Sequence, residues 1–246
     1  MAIETWLGSG NVSLRAYGST APFARIGNCE QLSFNINENE ISLADHTSPG
    51  GGKYDSVRRI ESVEIAMSWN ELSVSNLVKV LYATSTYLKP EAVAGEKHKA
   101  SPGGLVVLDR MPLTITTVKN GATELKADDG AYVATGGGIL IPEDSALPAD
   151  TELTIAYQAA GVDVIEALTD SGQVYEMFFE GMNEAGTGKR ANIRIHRVKI
   201  GAAQDLNWIG DDFAALDVTA ESLKDTTRGG VGKSAYFRIE KERAAA

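Results

Sequence analysis

One thiol, Cys29, serves a chain of 246 residues. That excludes an intramolecular disulfide and suits a protein that folds in a reducing cytoplasm. Histidine is nearly as scarce. His46, His98 and His196 lie far apart and match no metal-ligand spacing. No apolar run approaches the roughly 20 residues that a membrane helix needs. Met1–Trp6 lacks a basic stretch followed by an apolar core, so no signal peptide is expected. Basic residues are outnumbered, 23 against 33 acidic, for a formal net charge of -10. This opposes tight binding to a phosphate backbone. It does not oppose a conduit for DNA, because an acidic lumen would repel phosphate and leave DNA free to slide. The plainer alternative is that the acidity keeps the protein soluble.

What is present is β-strand. The length fits one large domain, or a domain carrying an insertion, and needs no disulfide or metal staple. Strand signals recur at short spacing between Gly, Pro, Asn and Asp, which favours a sandwich or barrel over βαβ units. Val12 to Tyr17 and Gln31 to Asn37 alternate, with Leu32, Phe34 and Ile36 on one face. Ile41 to Ala44 continues beyond a turn expected at Asn37-Glu38-Asn39-Glu40. His46-Thr47-Ser48-Pro49-Gly50-Gly51-Gly52-Lys53-Tyr54-Asp55 reads as a flexible loop. Val63, Ile65, Met67 and Trp69 line one face of a long strand. Ser73 then caps one helix, expected to reach Tyr82 or Ala83, whose stripe is Val74, Leu77, Val78 and Leu81.

Residues 84–104 look like a polar connector. Five short strands follow, at 105–109, 113–119, 131–135, 139–141 and 152–158, with Asn120-Gly121 as a hairpin signal. The stretch 84–160 is either an inserted β-rich subdomain or the continuation of one sheet. Four further strands are expected at 174–180, 191–198, 213–218 and 234–240.

Several motifs invite chemistry and fail on context. Arg228-Gly229-Gly230-Val231-Gly232-Lys233-Ser234 looks like the deviant phosphate loop of partition-type ATPases. That mechanism needs a helix opening after the loop, and here a strand pattern, Ala235 to Ile239, follows. An inter-strand loop is the better reading, as it is for Gly186-Thr187-Gly188-Lys189. His196 sits among Arg194, Arg197 and Lys199, and a surface position is expected. Asp128-Asp129 and Asp211-Asp212 lack the alternating oxygen ligands of a calcium loop and read as turn residues. Cys29 has no base nearby in sequence. Trp69, Tyr175, Phe178, Phe179, Phe213, Tyr236 and Phe237 read as core or subunit-interface packing, since no interleaved basic residues make a stacking platform. No triad, carboxylate pair or metal set is evident, so no enzyme, cofactor or metal is expected.

The strands of 174–240, with the linking segments Glu180–Lys189 and Leu206–Phe213, resemble the C-terminal half of the tail tube (major tail) proteins of long-tailed bacteriophages. The order of the N-terminal strands, the 46–55 loop, the strand ending at Trp69 and the helix at 73–83 is similar to that family too. The resemblance is one of pattern, weakest over 84–160. It implies a mainly β, sandwich- or barrel-type tail tube fold with one flanking helix, in a single tail tube domain spanning 1–246. Sheets would join between subunits into a tube. It implies a non-enzymatic virion protein that stacks as hexameric rings into a hollow tube for DNA passage. Partners would be other copies of the chain, tail tip or initiator, tape measure and tail terminator proteins, with DNA as non-specific cargo and no membrane. Assembly would take place in the host cytoplasm. His46, Ser48, Pro49, Gly50, Gly51, Gly52, Lys53, Tyr54 and Asp55 would form the inter-ring loop. A contractile-sheath inner tube is a close variant. The competing reading is a monomeric β-sandwich that binds carbohydrate or a cell surface.

Overall fold

Alternation of buried and exposed residues marks the central strands of this chain, most regularly over 62–69, Thr151–Ala159 and Leu216–Ser222. The computed structural model describes residues 5–47, 49–185, 188–203 and 205–243. The first elements are β1 (Gly8–Ala16), β2 (Ala24–Arg25), β3 (Cys29–Ala44), β4 (Lys53–Trp69) and the helix α1 (Val74–Val80). Next come β5 (Thr84–Leu88), β6 (Glu91–Ala100), β7 (Leu105–Val107), β8 (Pro112–Asn120), β9 (Thr123–Leu125), β10 (Val133–Thr135), β11 (Gly138–Leu140) and β12 (Thr151–Ala159). The last are β13 (Val162–Glu166), β14 (Val174–Asn183), β15 (Arg190–Ile200), β16 (Leu216–Ser222) and β17 (Phe237–Lys241). The protein is mainly β, with one helix among the described residues. None of those residues forms a helix long and apolar enough to cross a membrane.

The chain divides into two compact units, Met1–Thr84 with Ile165–Ala246, and Ser85–Val164. In the first, an eight-stranded sheet runs β2-β1-β14-β15-β16-β4-β3, with β17 also paired to β15. The path is open, with β2 and β3 at its ends. Val12 and Leu14 of β1, Ile65, Met67 and Trp69 of β4, Met177 of β14 and Leu216 and Val218 of β16 share one buried core with Leu77 and Val80 of α1. Trp69 is wholly buried, and truncating it to Ala would cost about 3–5 kcal/mol.

One irregularity sets up the opposite face. Tyr175 pairs with Val198 and Met177 with Ile195, so His196 and Arg197 together oppose Glu176. This β-bulge lets Ile195 and Val198 both point inward although they are three residues apart. Helix α1 is capped as expected, Asn76 N donating to Ser73 Oγ at 3.3 Å. It is shorter than its apolar spacing suggests, because Tyr82 turns the chain at a φ of +49°. Its inward face includes Asn76, whose Nδ2 donates to Ile26 O at 2.7 Å.

The second unit holds a four-stranded sheet, β6-β12-β8-β9, and a three-stranded one, β10-β11-β7. Val106 and Ile139 from the smaller sheet share a core with Val118, Leu153, Ile155 and Tyr157 from the larger. The expected polar connector at 84–104 is instead β5 and β6. Residues such as Glu91, Lys97 and Lys99 alternate there with the apolar or half-buried Val93, Glu96 and His98, and a sheet with one wet face tolerates such polar strands. Asn120-Gly121 does close a hairpin, with Asn120 paired to Thr123 and Gly121 at a φ of +58° in the first central position.

Candidate assembly surface

The longest ladder in the molecule extends past its own sheet. Strand β16 pairs with β4 only from Glu64 to Trp69. From Lys53 to Ser62, β4 has β3 alone as a neighbour. The result is a two-stranded arm of residues 37–62, and the Asn37–Glu40 turn expected from sequence is a stretch of continuous strand within it. Glu38 pairs with Ile60, Glu40 with Arg58, Ile41 with Val57 and Leu43 with Asp55.

Register assigns the faces, since cross-strand partners share a side and neighbours along a strand alternate. Near the sheet, Leu32, Phe34 and Ile36 lie on the core side with Met67, Ile65 and Val63. A register shift at Asn37/Glu38 accompanies a change of character. Beyond it the core-side face carries Glu38, Glu40, Arg58 and Ser56 with one apolar residue, Ile60, and the opposite face carries Ile41, Val57 and Leu43 beside Asn39, Arg59 and Asp55. The charged face is internally paired: Arg58 reaches Glu40 at 3.5 Å and Glu38 at 4.0 Å, and Lys53 bonds Glu40. That contact with the Lys53 ammonium holds the Glu40 carboxyl below its usual range. On the apolar face, Ile41, Leu43 and Val57 are each more than half exposed. The arm is unevenly amphipathic, with an apolar cluster on that face in water.

At the tip, Asp45 N donates to Gly52 O at 2.8 Å, and Asp45 Oδ1 accepts from Thr47 N and Oγ1 at 2.7 and 2.6 Å. Gly50, Gly51 and Gly52 have φ of +109°, +67° and +144°, values that L side chains rarely adopt. Of the expected inter-ring residues, His46, Pro49 and the three glycines lie in this tip, whereas Lys53, Tyr54 and Asp55 open β4. Ser48 lies outside the described residues. A second exposed apolar set, Trp208, Ile209 and Phe213, lies in the segment before β16. Phe213 is solvent-facing, because the strand starts three residues later than its sequence pattern suggests.

The remaining motifs land as follows. His196 is not on the surface: the bulge and the segment before β17 bury it to 7% exposure. Cys29 is half-buried, and burial pushes its thiol up, which disfavours the nucleophilic thiolate. Asp128-Asp129 and Asp211-Asp212 lie in turns and bends. One cluster escaped the sequence reading. Glu96, His98 and Asp109 bring potential ligand atoms within 4.8 Å of one another. Glu96 and His98 sit two apart on β6, a strand spacing that a connector reading concealed. Its oxygens are already engaged by His98, by Asp109 N at 2.8 Å and by the Tyr157 hydroxyl at 2.6 Å.

No curated protein matches the chain. Residues 5–240 match the family described as "Protein of unknown function UCP028589", and the chain belongs to that family.

Proposed function

We propose that this chain is a structural subunit that polymerises, as stacked rings, into the hollow tail tube of a long-tailed bacteriophage. The amphipathic arm carries the reading. A two-stranded ribbon is marginal by itself in water, and Ile41, Leu43 and Val57 gain about 25 cal/mol per Å² of apolar surface when covered. A second copy of the chain is the occupant that a tube requires, with the arm crossing to the next ring and the open edges at β2 and β3 available for pairing within a ring. Acidic groups lining the lumen would keep DNA from adhering. No enzymatic role is needed. Tail tip, tape measure and terminator proteins are the partners such a polymer takes, in the virion tail after assembly in the host cytoplasm.

Electron microscopy of negatively stained protein at low and high concentration, with light scattering, tests this directly. Stacked rings or hollow tubes are the expected product, from the protein alone or once tail-tip complexes are added. A small closed oligomer that tail tips never extend would overturn the reading and favour a cell-surface binding module. Replacing Gly50, Gly51 and Gly52 together by proline is expected to block stacking, since proline fixes φ near -65° where these residues need positive values. Unchanged tube assembly in that variant would remove the tip from the mechanism.

A further inference from the structure

A cavity of about 510 Å³ in the first unit lies where the glycine-rich segment 228–234 meets β15 and β17. The sequence motif there cannot be a nucleotide loop, because no helix follows it. Its surroundings nevertheless have a consistent chemistry. His196, Thr227, Arg228, Lys233, Ser234 and Arg238 line the cavity and no carboxylate does, in a chain whose net charge is -10. Gly229 and Gly232 also line it, and a Cβ added to either would touch nothing within 4 Å. The wall is therefore open to an incoming group.

Several of the lining groups are already committed. Arg228 lies 3.4 Å from Asp225 and 3.6 Å from Glu176, and Arg238 lies 2.5 Å from Glu240. Thr227 Oγ1 donates to Asp225 Oδ1. Three groups remain. Lys233 forms no ion pair among the described residues. Ser234 Oγ accepts from Tyr236 N and Phe237 N, which leaves its hydroxyl proton free to donate. His196 is 93% buried, and its Nδ1 has no partner among the described residues. A buried polar atom without a partner is costly. The register adds positive charge nearby, since Arg194 and Arg238 stand directly opposite each other across β15 and β17, and like charges so placed repel.

We propose that this cavity binds a small oxyanion, a phosphate or a phosphate monoester, held by His196, Lys233 and the Ser234 hydroxyl. A tetrahedral anion would meet the imidazole edge that lines the cavity and neutralise the cationic wall, with charge-assisted hydrogen bonds to its donors. The proposal is independent of tube assembly, which can succeed or fail without it. Binding carries a proton linkage. The charged groups facing His196 are Arg194 on its own strand, Arg238 on β17, and Arg228 and Asp225 from the covering segment. The three cations disfavour the imidazolium and Asp225 favours it. An anion adds to the side of Asp225, so its binding favours the protonated imidazole.

The test is a titration of the full chain with inorganic phosphate at ionic strength held constant by chloride, reading the imidazole NMR resonances of all three histidines. The His196 signal is expected to move along a saturating curve while those of His46 and His98 stay in place, and the apparent pKa of His196 rises with phosphate. Lys233→Gln should weaken binding by about tenfold, the loss of one charge-assisted contact. Arg238→Gln gives a second reading from an exposed side chain. A linear, non-saturating drift of all three histidines overturns the site. So does unchanged affinity in both variants. Acetate saturating the same resonance at equal concentration would overturn the assignment to phosphate.

Discussion

Arg15 and Glu176 stand opposite each other across the β1–β14 ladder. The guanidinium donates to Glu176 Oε2 from Nη2 at 2.6 Å and from Nε at 3.2 Å. Phe23 covers the guanidinium at 4.5 Å from its centroid, and the Glu176 side chain is only 4% exposed. Arg15→Met strands that carboxylate with the longer contact to Arg228 as its remaining ion pair. A loss of about 3 kcal/mol is expected, read as a lower urea midpoint with unchanged slope. Arg15→Met with Glu176→Met should recover most of it. Equal losses in the single and double variants would show that packing, and not the buried charge, sets the effect.

The arm separates stability from assembly. Ile41 and Val57 are exposed partners on a ribbon outside the core, so Ile41→Lys should change unfolding free energy by no more than about 0.5 kcal/mol. The same substitution should abolish rings and tubes by electron microscopy, because it places a cation in the surface that a second copy must cover. Normal tubes from Ile41→Lys would move the contact elsewhere, with Trp208, Ile209 and Phe213 the next surface to alter.

Much of this was legible in the residues, and the misses have physical causes. Val63, Ile65, Met67 and Trp69 announce a half-buried strand because one face meets a core and the other meets water. The arm was read as broken at Asn37–Glu40 because its apolar face changes sides: Ile36 and Ile41 are five apart, an odd spacing that a flat strand cannot place on one face. In the structure the strand runs on and its environment switches. His196 was misplaced for a related reason. Among three cations it reads as solvent-exposed, but a bulge invisible to periodicity and a segment arriving from 223–236 cover it. The strand at 91–100 was missed because its residues are polar on the wet side and two of its half-buried members, Glu96 and His98, are themselves polar.

In the second unit, Tyr157 is 1% exposed. Burial, and the hydrogen bond its hydroxyl gives Glu96, push its pKa up to about 12. Spectrophotometric titration should therefore show one tyrosine ionising about two units above the usual value near 10, and that step should vanish in Tyr157→Phe. The variant also removes a donor from Glu96 Oε2 and an acceptor from Arg110 N at 3.2 Å. About 1–3 kcal/mol should be lost. A titration step near 12 that survives in Tyr157→Phe would assign it to another residue.

Acid sensitivity should begin at His196. Burial depresses its pKa below the ordinary value, Arg228, Arg194 and Arg238 push the same way, and Asp225 opposes them. The unfolded chain thus takes up this proton near pH 6.5, while the folded chain resists it. Stability contributed by the neutral imidazole is present above that pH and is lost as pH falls through the lower, folded-state pKa. The carboxylates with resolved shifts, including Glu96 and Asp225, are all depressed below their usual range, so they add their own acid losses only further down. Thermal midpoints in phosphate-free chloride should fall as pH drops below about 6.5 in the natural protein. In His196→Gln the decline over that window should flatten, because the group that resists protonation is gone. A decline of equal slope in both proteins would place the acid-sensitive group elsewhere.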